Sequence, residues 1–239
     1  MSMTELQLSQ IRNYLLDKKL PIDILMEVND HFISQINDFM TEENLSFDEA
    51  LEKTKKSWEI ELKPYWKGEI DLIDRSKLLR ETNKINFKVL LKRSLTFSIP
   101  VILILFFLSK LISFQYFEII FVAFVGLIYF SPLINYLIHL QDFKLIKKYQ
   151  NYVLVSIQEY TILMIGGIYF YFRFITDGYK LAEVFSSFSL NNFNWDFVLG
   201  FLIVNAILVL SFFVIFSQKI YLRQIEKVKP FLKYLKPSN

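Results

Sequence analysis

Chemistry needs side chains that can ligate, attack or move a proton, and this sequence offers few of them. It contains no Cys, which removes thiol catalysis, cysteine-held metals and iron–sulfur clusters, and it contains only 2 His. His31 follows Glu27 by one helical turn and stands beside Asp30. Glu, Asp and His at that spacing share a helix face and could supply ligands to one metal ion. A catalytic zinc, however, takes three protein ligands plus a water, and no second pair at ligand spacing follows. The expectation is therefore no metal and no cofactor, with Glu27, Asp30 and His31 forming an exposed acidic turn that suits a binding partner. His139 closes an apolar stretch, where an imidazole facing headgroups or a basic loop is expected. No Gly-rich phosphate loop, Gly-x-Ser-x-Gly elbow or Walker pattern occurs. With no nucleophile, base and metal set to name, the chain is expected not to be an enzyme.

Three further polar residues stand inside apolar stretches. A carboxylate within a membrane span is costly and usually faces a bundle interior or water, so Glu159 is a functional candidate. Placed shallowly, it pairs with Lys147 or Lys148 at the interface; placed deeper, desolvation raises its pKa and lets it carry a proton. Asn135 and Asn205 are amides able to hydrogen-bond between helices, as packing glue or as neighbours of Glu159. Glu159, Asn135 and Asn205 form the candidate intramembrane polar site.

The elements that must position these residues follow from composition. Of 239 residues, 53% are hydrophobic and 17% aromatic, with 25 Phe against 6 Gly, and the mean hydropathy is +0.32. Residues 1–87 hold 12 Lys and Arg against 17 Asp and Glu, net −5; residues 88–239 hold 15 against 7, net +8. The total of +3 averages two unlike halves, and collagen-like, disordered and disulfide-rich classes are excluded.

A bilayer core of about 30 Å needs roughly 20 mostly apolar helical residues. Residues 119–141 run for 23 without a charged side chain and residues 197–218 for 22. Residues 94–109 give 16 before Lys110, and the apolar run resumes after it; a lysine there can snorkel. A further candidate runs from about 152 to 173, holding Glu159 and ending at Arg173. The expectation is four transmembrane helices, at about 94–114, 117–140, 152–173 and 196–218. Cytoplasmic flanks retain Lys and Arg, and these collect before the first span (Lys88, Lys92, Arg93), between the second and third (Lys144, Lys147, Lys148) and along the tail from 219 to 239. The opposite side holds Lys110, Arg173 and Lys180, offset by Glu118, Asp177, Glu183 and Asp196. This places a multi-pass protein in the cytoplasmic membrane with both termini inside. The tail spaces Ile220, Ile225, Val228, Leu232 and Leu235 at helical intervals among its lysines, a basic amphipathic stretch suited to anionic lipid rather than nucleic acid. Gly126, Gly166, Gly167 and Gly200 permit close helix approach, and Pro132 and Pro100 sit within spans.

The front half, residues 1–63, reads as three short amphipathic helices. Leu6, Leu8, Ile11, Leu15 and Leu16 mark the first. Ile22, Leu25, Val28, Phe32, Ile36 and Phe39 mark the second, after Pro21 as a first-turn residue. Ser46 with Glu49 forms a capping box ahead of Phe47, Ala50, Leu51, Thr54, Trp58 and Leu62, a pattern that continues helically past Trp58. Residues 64–93 form a partly helical connector.

On these residues the stretch 11–58 resembles the HAAS or permease-prefix module, a small three-helix cytoplasmic unit that precedes transmembrane helices in many bacterial membrane proteins. The shared features are Leu-Pro between helices one and two, the acidic stretch at Glu27, Asp30 and His31, and the Ser-x-x-Glu-Ala start at Ser46, Glu49 and Ala50. A Gly and Pro turn after helix three is replaced here by Lys56, Ser57 and Trp58. The resemblance implies a signalling or interaction domain rather than an enzyme. The reading is thus an all-α protein, a cytoplasmic three-helix module followed by a four-helix membrane bundle, binding a cytoplasmic protein and compatible with a homo-oligomer. The alternative is a small transporter or transporter subunit that uses the polar groups in the bundle.

Overall fold

A computed structural model describes residues 3–65, 74–163, 168–187 and 195–238. The elements are α1 (Glu5–Leu16), α2 (Ile22–Glu42), α3 (Phe47–Ser57), α4 (Glu59–Leu62), β1 (Pro64–Tyr65), β2 (Arg75–Ser76), α5 (Lys77–Leu111), α6 (Phe114–Ile138), α7 (Leu140–Lys148), α8 (Ile168–Ser186) and α9 (Trp195–Val228). Single 3-10 segments lie at Gln158–Ile162 and Lys229–Tyr234. β1 and β2 make one antiparallel bridge, Pro64 opposite Ser76 and Tyr65 opposite Arg75; among the described residues all else that is regular is helical, so the all-α expectation holds. The chain divides into two compact units. The first gathers Met1–Asn86, Lys144–Ser156 and Arg223–Asn239, and the second gathers Phe87–Phe143 and Ile157–Leu222.

In the first unit, local signals start each helix. Thr4 caps α1 reciprocally with Gln7: the Thr4 hydroxyl accepts from the Gln7 amide at 3.3 Å and the Gln7 side chain accepts from the Thr4 amide at 2.8 Å. The Ser46 and Glu49 box forms as expected, at 3.4 and 2.9 Å. Pro21 occupies the position just before α2, one residue earlier than expected. Ile22, Leu25, Val28, Phe32 and Ile36 are buried, and α2 packs against both α1 and α3. The expected unbroken helix through Trp58 is interrupted there: α3 ends at Ser57 and α4 restarts at Glu59. The Trp58 indole instead donates to Gln35 Oε1 at 2.9 Å and lays its ring 5.5 Å from that of Phe32. Trp66, Ile70, Leu72 and Ile73 lie outside the described residues.

The expected span over 152–173 is corrected. Residues 149–157 are turns and bends, followed by the 3-10 segment, and α8 runs on to Ser186. The cause is competition for backbone groups. Val153 and Leu154 carbonyls accept from the Ile22 and Asp23 amides at 2.8 and 3.3 Å, and the Ser156 amide donates to both Asp23 carboxylate oxygens at 3.0 Å. Groups spent on the start of α2 cannot close helical turns, and the apolar Leu154 and Val155 are buried rather than presented to lipid. In the tail, α9 continues to Val228, and of the apolar stripe Ile225, Val228 and Leu235 are buried in protein, while Ile220 and Leu232 are partly buried.

In the second unit, α5, α6 and α9 with its following turn are the described helices long and apolar enough to cross a membrane, three where four were expected. α8 packs antiparallel along α6. Tyr171 meets Tyr129 at 4.6 Å between ring centroids, Phe185 meets Phe121 at 5.7 Å, and the Phe174 ring lies 3.3 Å from where a Cβ on Gly126 would stand. A Cβ on Gly200 would fall 2.5 Å from Val184 Cγ1, so any side chain there would force Val184 or the two helices to shift. Pro132 lies within α6 and has no N–H to give Ile128, four residues back. The Ser131 hydroxyl donates to that carbonyl at 2.8 Å. Gly166 and Gly167 lie outside the described residues.

Candidate functional site

The candidate polar residues fall in two groups, one in each unit. On α2, positions 22, 25, 28, 32 and 36 turn inward, which leaves 27, 30, 31, 34 and 38 on the opposite face by helical geometry. Glu27, Asp30, His31, Ser34 and Asp38 are all exposed. The result is a continuous acidic stripe about three turns long, wider than the single turn read from the sequence. The His31 ring stacks against Trp58, centroids 6.3 Å apart. That contact fixes the imidazole on the flank of the stripe through the same tryptophan that interrupts the helix after α3. Among the described residues no group of three or more His, Cys, Asp or Glu is placed to hold a metal ion.

What fixes the stripe in orientation is a clamp at the start of α2. Asp23 is half-buried and its carboxylate accepts from the Ser156 amide, from the Ser156 hydroxyl at 2.9 Å and from the Ile24 amide at 3.0 Å. Burial outweighs those bonds and holds the carboxyl above its ordinary value of 3.8. Asn86 donates to the same Ser156 hydroxyl at 3.4 Å. Three chain segments far apart in sequence therefore meet at Ser156. Nothing in the spacing announces Ser156; Asp23, an acid in the first turn of a helix, carries the one legible sign.

In the second unit the three expected polar residues are not brought together. Comparison with protein-family models, with curated proteins and with solved structures gives no significant match. The geometry alone must speak for this site. Glu159 is exposed, on the 3-10 segment. Asn135 donates instead to Gln218 Oε1 at 2.9 Å. Asn205 Oδ1 is buried and, among the described residues, has no hydrogen-bond partner. The centre of the polar network is Gln218, fully buried, whose amide donates to the Pro132 carbonyl at 3.0 Å and to the Thr161 carbonyl at 3.1 Å. One side chain thus joins α6, α9 and the 3-10 segment, and every one of its polar atoms is used. In the sequence Gln218 stands as the last residue of a charge-free run, a lone amide at its end. His139 caps α6 with its amide to the Asn135 carbonyl at 3.1 Å, and its ring nitrogen lies 3.1 Å from the same oxygen.

Proposed function

We propose that this chain is a multi-pass membrane protein of the bacterial cytoplasmic membrane, with both termini inside, whose first unit binds a protein partner and whose second unit anchors it. The observation that carries the reading is the acidic stripe. Ile22, Ile24, Leu25, Val28, Phe32 and Ile36 of α2 are committed to the core, while Glu27, Asp30 and Asp38 stand in line on the outside. Such a face has no structural duty, and its charge suits a basic protein surface through steering and complementary pairing. The order and apolar spacing of α1, α2 and α3 support kinship with the HAAS-like module. α8, packed lengthwise on α6, supports counting it as the fourth element of the bundle. No residue set argues for enzymatic chemistry. The transporter alternative loses its residue-level support because Asn135 bonds to Gln218, Glu159 is exposed and Asn205 Oδ1 has no hydrogen-bond partner among the described residues, so the three share no site.

The test is site-specific photo-crosslinking from Ser34, at the middle of the stripe, in the full chain. The full chain is needed because Lys144–Ser156 and Arg223–Asn239 belong to the same unit. Adducts to a defined protein that disappear when Glu27, Asp30 and Asp38 are changed to Lys are expected. Adducts indifferent to those changes, or none, would count against the reading.

A further inference from the structure

The outward face of α8 carries charge where charge is least expected. Arg173 Nη1 donates to Asp177 Oδ2 at 2.8 Å and Lys180 Nζ donates to Asp177 Oδ1 at 2.7 Å. The two cationic side chains are about 60% exposed. Thr176 and Glu183 are exposed on the same stripe, together with Tyr169, Phe172 and Tyr179. Depth follows from α6. Its neighbourhood is free of charge over residues 119–141, a stretch whose middle is Phe130, and Tyr171 packs on Phe130 with centroids 5.0 Å apart. Counting along α8 at about 1.5 Å per residue puts Arg173 about 3 Å and Asp177 about 9 Å from that level. If α6 crosses the bilayer, as the proposed function has it, this triad lies within the hydrocarbon. Hydrocarbon cannot solvate it, and intramembrane charges face protein or water.

We infer that the exposed face of α8 is a helix–helix interface, covered in the membrane by a second copy of this chain. The charges favour a copy over a foreign partner. Arg173, Asp177, Lys180 and Glu183 alternate in sign along the face and sum to zero, so the face demands no partner of one sign. Asp177 serves two cations of its own chain, whereas Glu183 has no ion pair among the described residues and can take the copy's Lys180. The aromatic and arginine content of the stripe matches the groups enriched in protein interfaces. Two copies inserted the same way meet about a two-fold axis along the membrane normal, which brings equal levels together and sets Thr176 opposite Thr176.

The absence of native cysteine makes the test direct. Thr176→Cys or Phe172→Cys in the full chain should form an intermolecular disulfide on oxidation in native membranes. Leu127→Cys, on an exposed position of α6, should not. Changing Arg173, Asp177 and Lys180 together to Leu in the Thr176→Cys background should abolish the crosslink; its persistence would overturn the role given to the charges. A Thr176→Cys chain that fails to crosslink overturns the inference: labelling by a membrane-impermeant maleimide would then identify an aqueous path, and protection a different covering protein. Labelling of Leu127→Cys from water would instead sink the membrane-span reading itself, a failure distinct from the other two.

Discussion

The two units invert each other's polarity. Among the described residues, 29 of 35 exposed large hydrophobic residues belong to the second unit, and so do seven of nine buried polar residues, the exceptions being Thr54 and Ser76. In the first unit apolar groups are inside and the surface is charged, so burial from water selects the fold. In the second, outside and inside are similarly apolar, and burial discriminates little between one helix arrangement and another if lipid surrounds it. There, shape and a few polar contacts must decide. Most buried hydroxyls do not help, because Ser94, Ser109 and Ser211 return their bonds to carbonyls of their own helices at 2.7 Å. Gln218 is different, since all its bonds reach other segments.

The largest expected effect probes the first unit. Phe32 is fully buried between Tyr14 and Trp58, and Phe32→Ala should cost about 3–5 kcal/mol through lost transfer energy and the cavity left behind. Hydrogen exchange on the full chain in detergent should show α1, α2 and α3 losing protection while α6 keeps it. Equal loss in α6 would break the contrast between the units.

Next is Gln218→Leu. It strands the Asn135 amide and removes the donor from two carbonyls, an expected loss of about 1–2 kcal/mol by the scale of buried unmet hydrogen bonds. Ser94→Ala, at an equally buried position, should stay within about 0.5 kcal/mol because its hydroxyl bonds only locally. Denaturing-detergent titration of both variants checks the ranking, and a Ser94 effect as large as that of Gln218 would refute it. Smaller still, Ser46→Ala should cost about 1 kcal/mol as a lost N-cap, read as earlier fraying of α3 by hydrogen exchange.

How much of this was legible depended on whether the cause was local. The Ser46–Glu49 capping box, the apolar period of α2 and the long apolar helices rest on local sequence, and each was readable; the Thr4–Gln7 box is as local but is not among the expectations. The third span failed because its decisive partner, Asp23, lies 133 residues away in sequence. Apolar composition alone cannot tell Leu154 and Val155 facing lipid from the same residues buried in protein. Trp58 misled for a related reason: its helical spacing was right, but the indole found Gln35 and Phe32 across the unit. The acidic turn was legible as one turn and is a stripe of three, since Ser34 and Asp38 carry no motif. Glu159 is conspicuous as a charge in an apolar stretch, while Gln218, uncharged and at the end of an apolar run, holds the network.

The smallest expected effect is also the one that most cleanly separates the units, because it depends on water. Asp23 is held above its ordinary 3.8 by burial. The folded unit therefore binds its proton more tightly than the unfolded chain does, and folding is favoured most below 3.8 as far as this group is concerned. As pH rises from there through the raised value, the folded state must carry a buried anion, and that share of stability is lost. Asp23→Asn keeps an oxygen acceptor for the Ser156 amide but cannot ionise. It should leave stability at neutral pH within about 1 kcal/mol of the parent, in the range of a single net hydrogen bond, and flatten the pH dependence above 3.8. Thermal unfolding of both chains across that window decides the matter: parallel curves would mean that Asp23 is solvated in the folded chain and that the clamp at Ser156 does not hold α2.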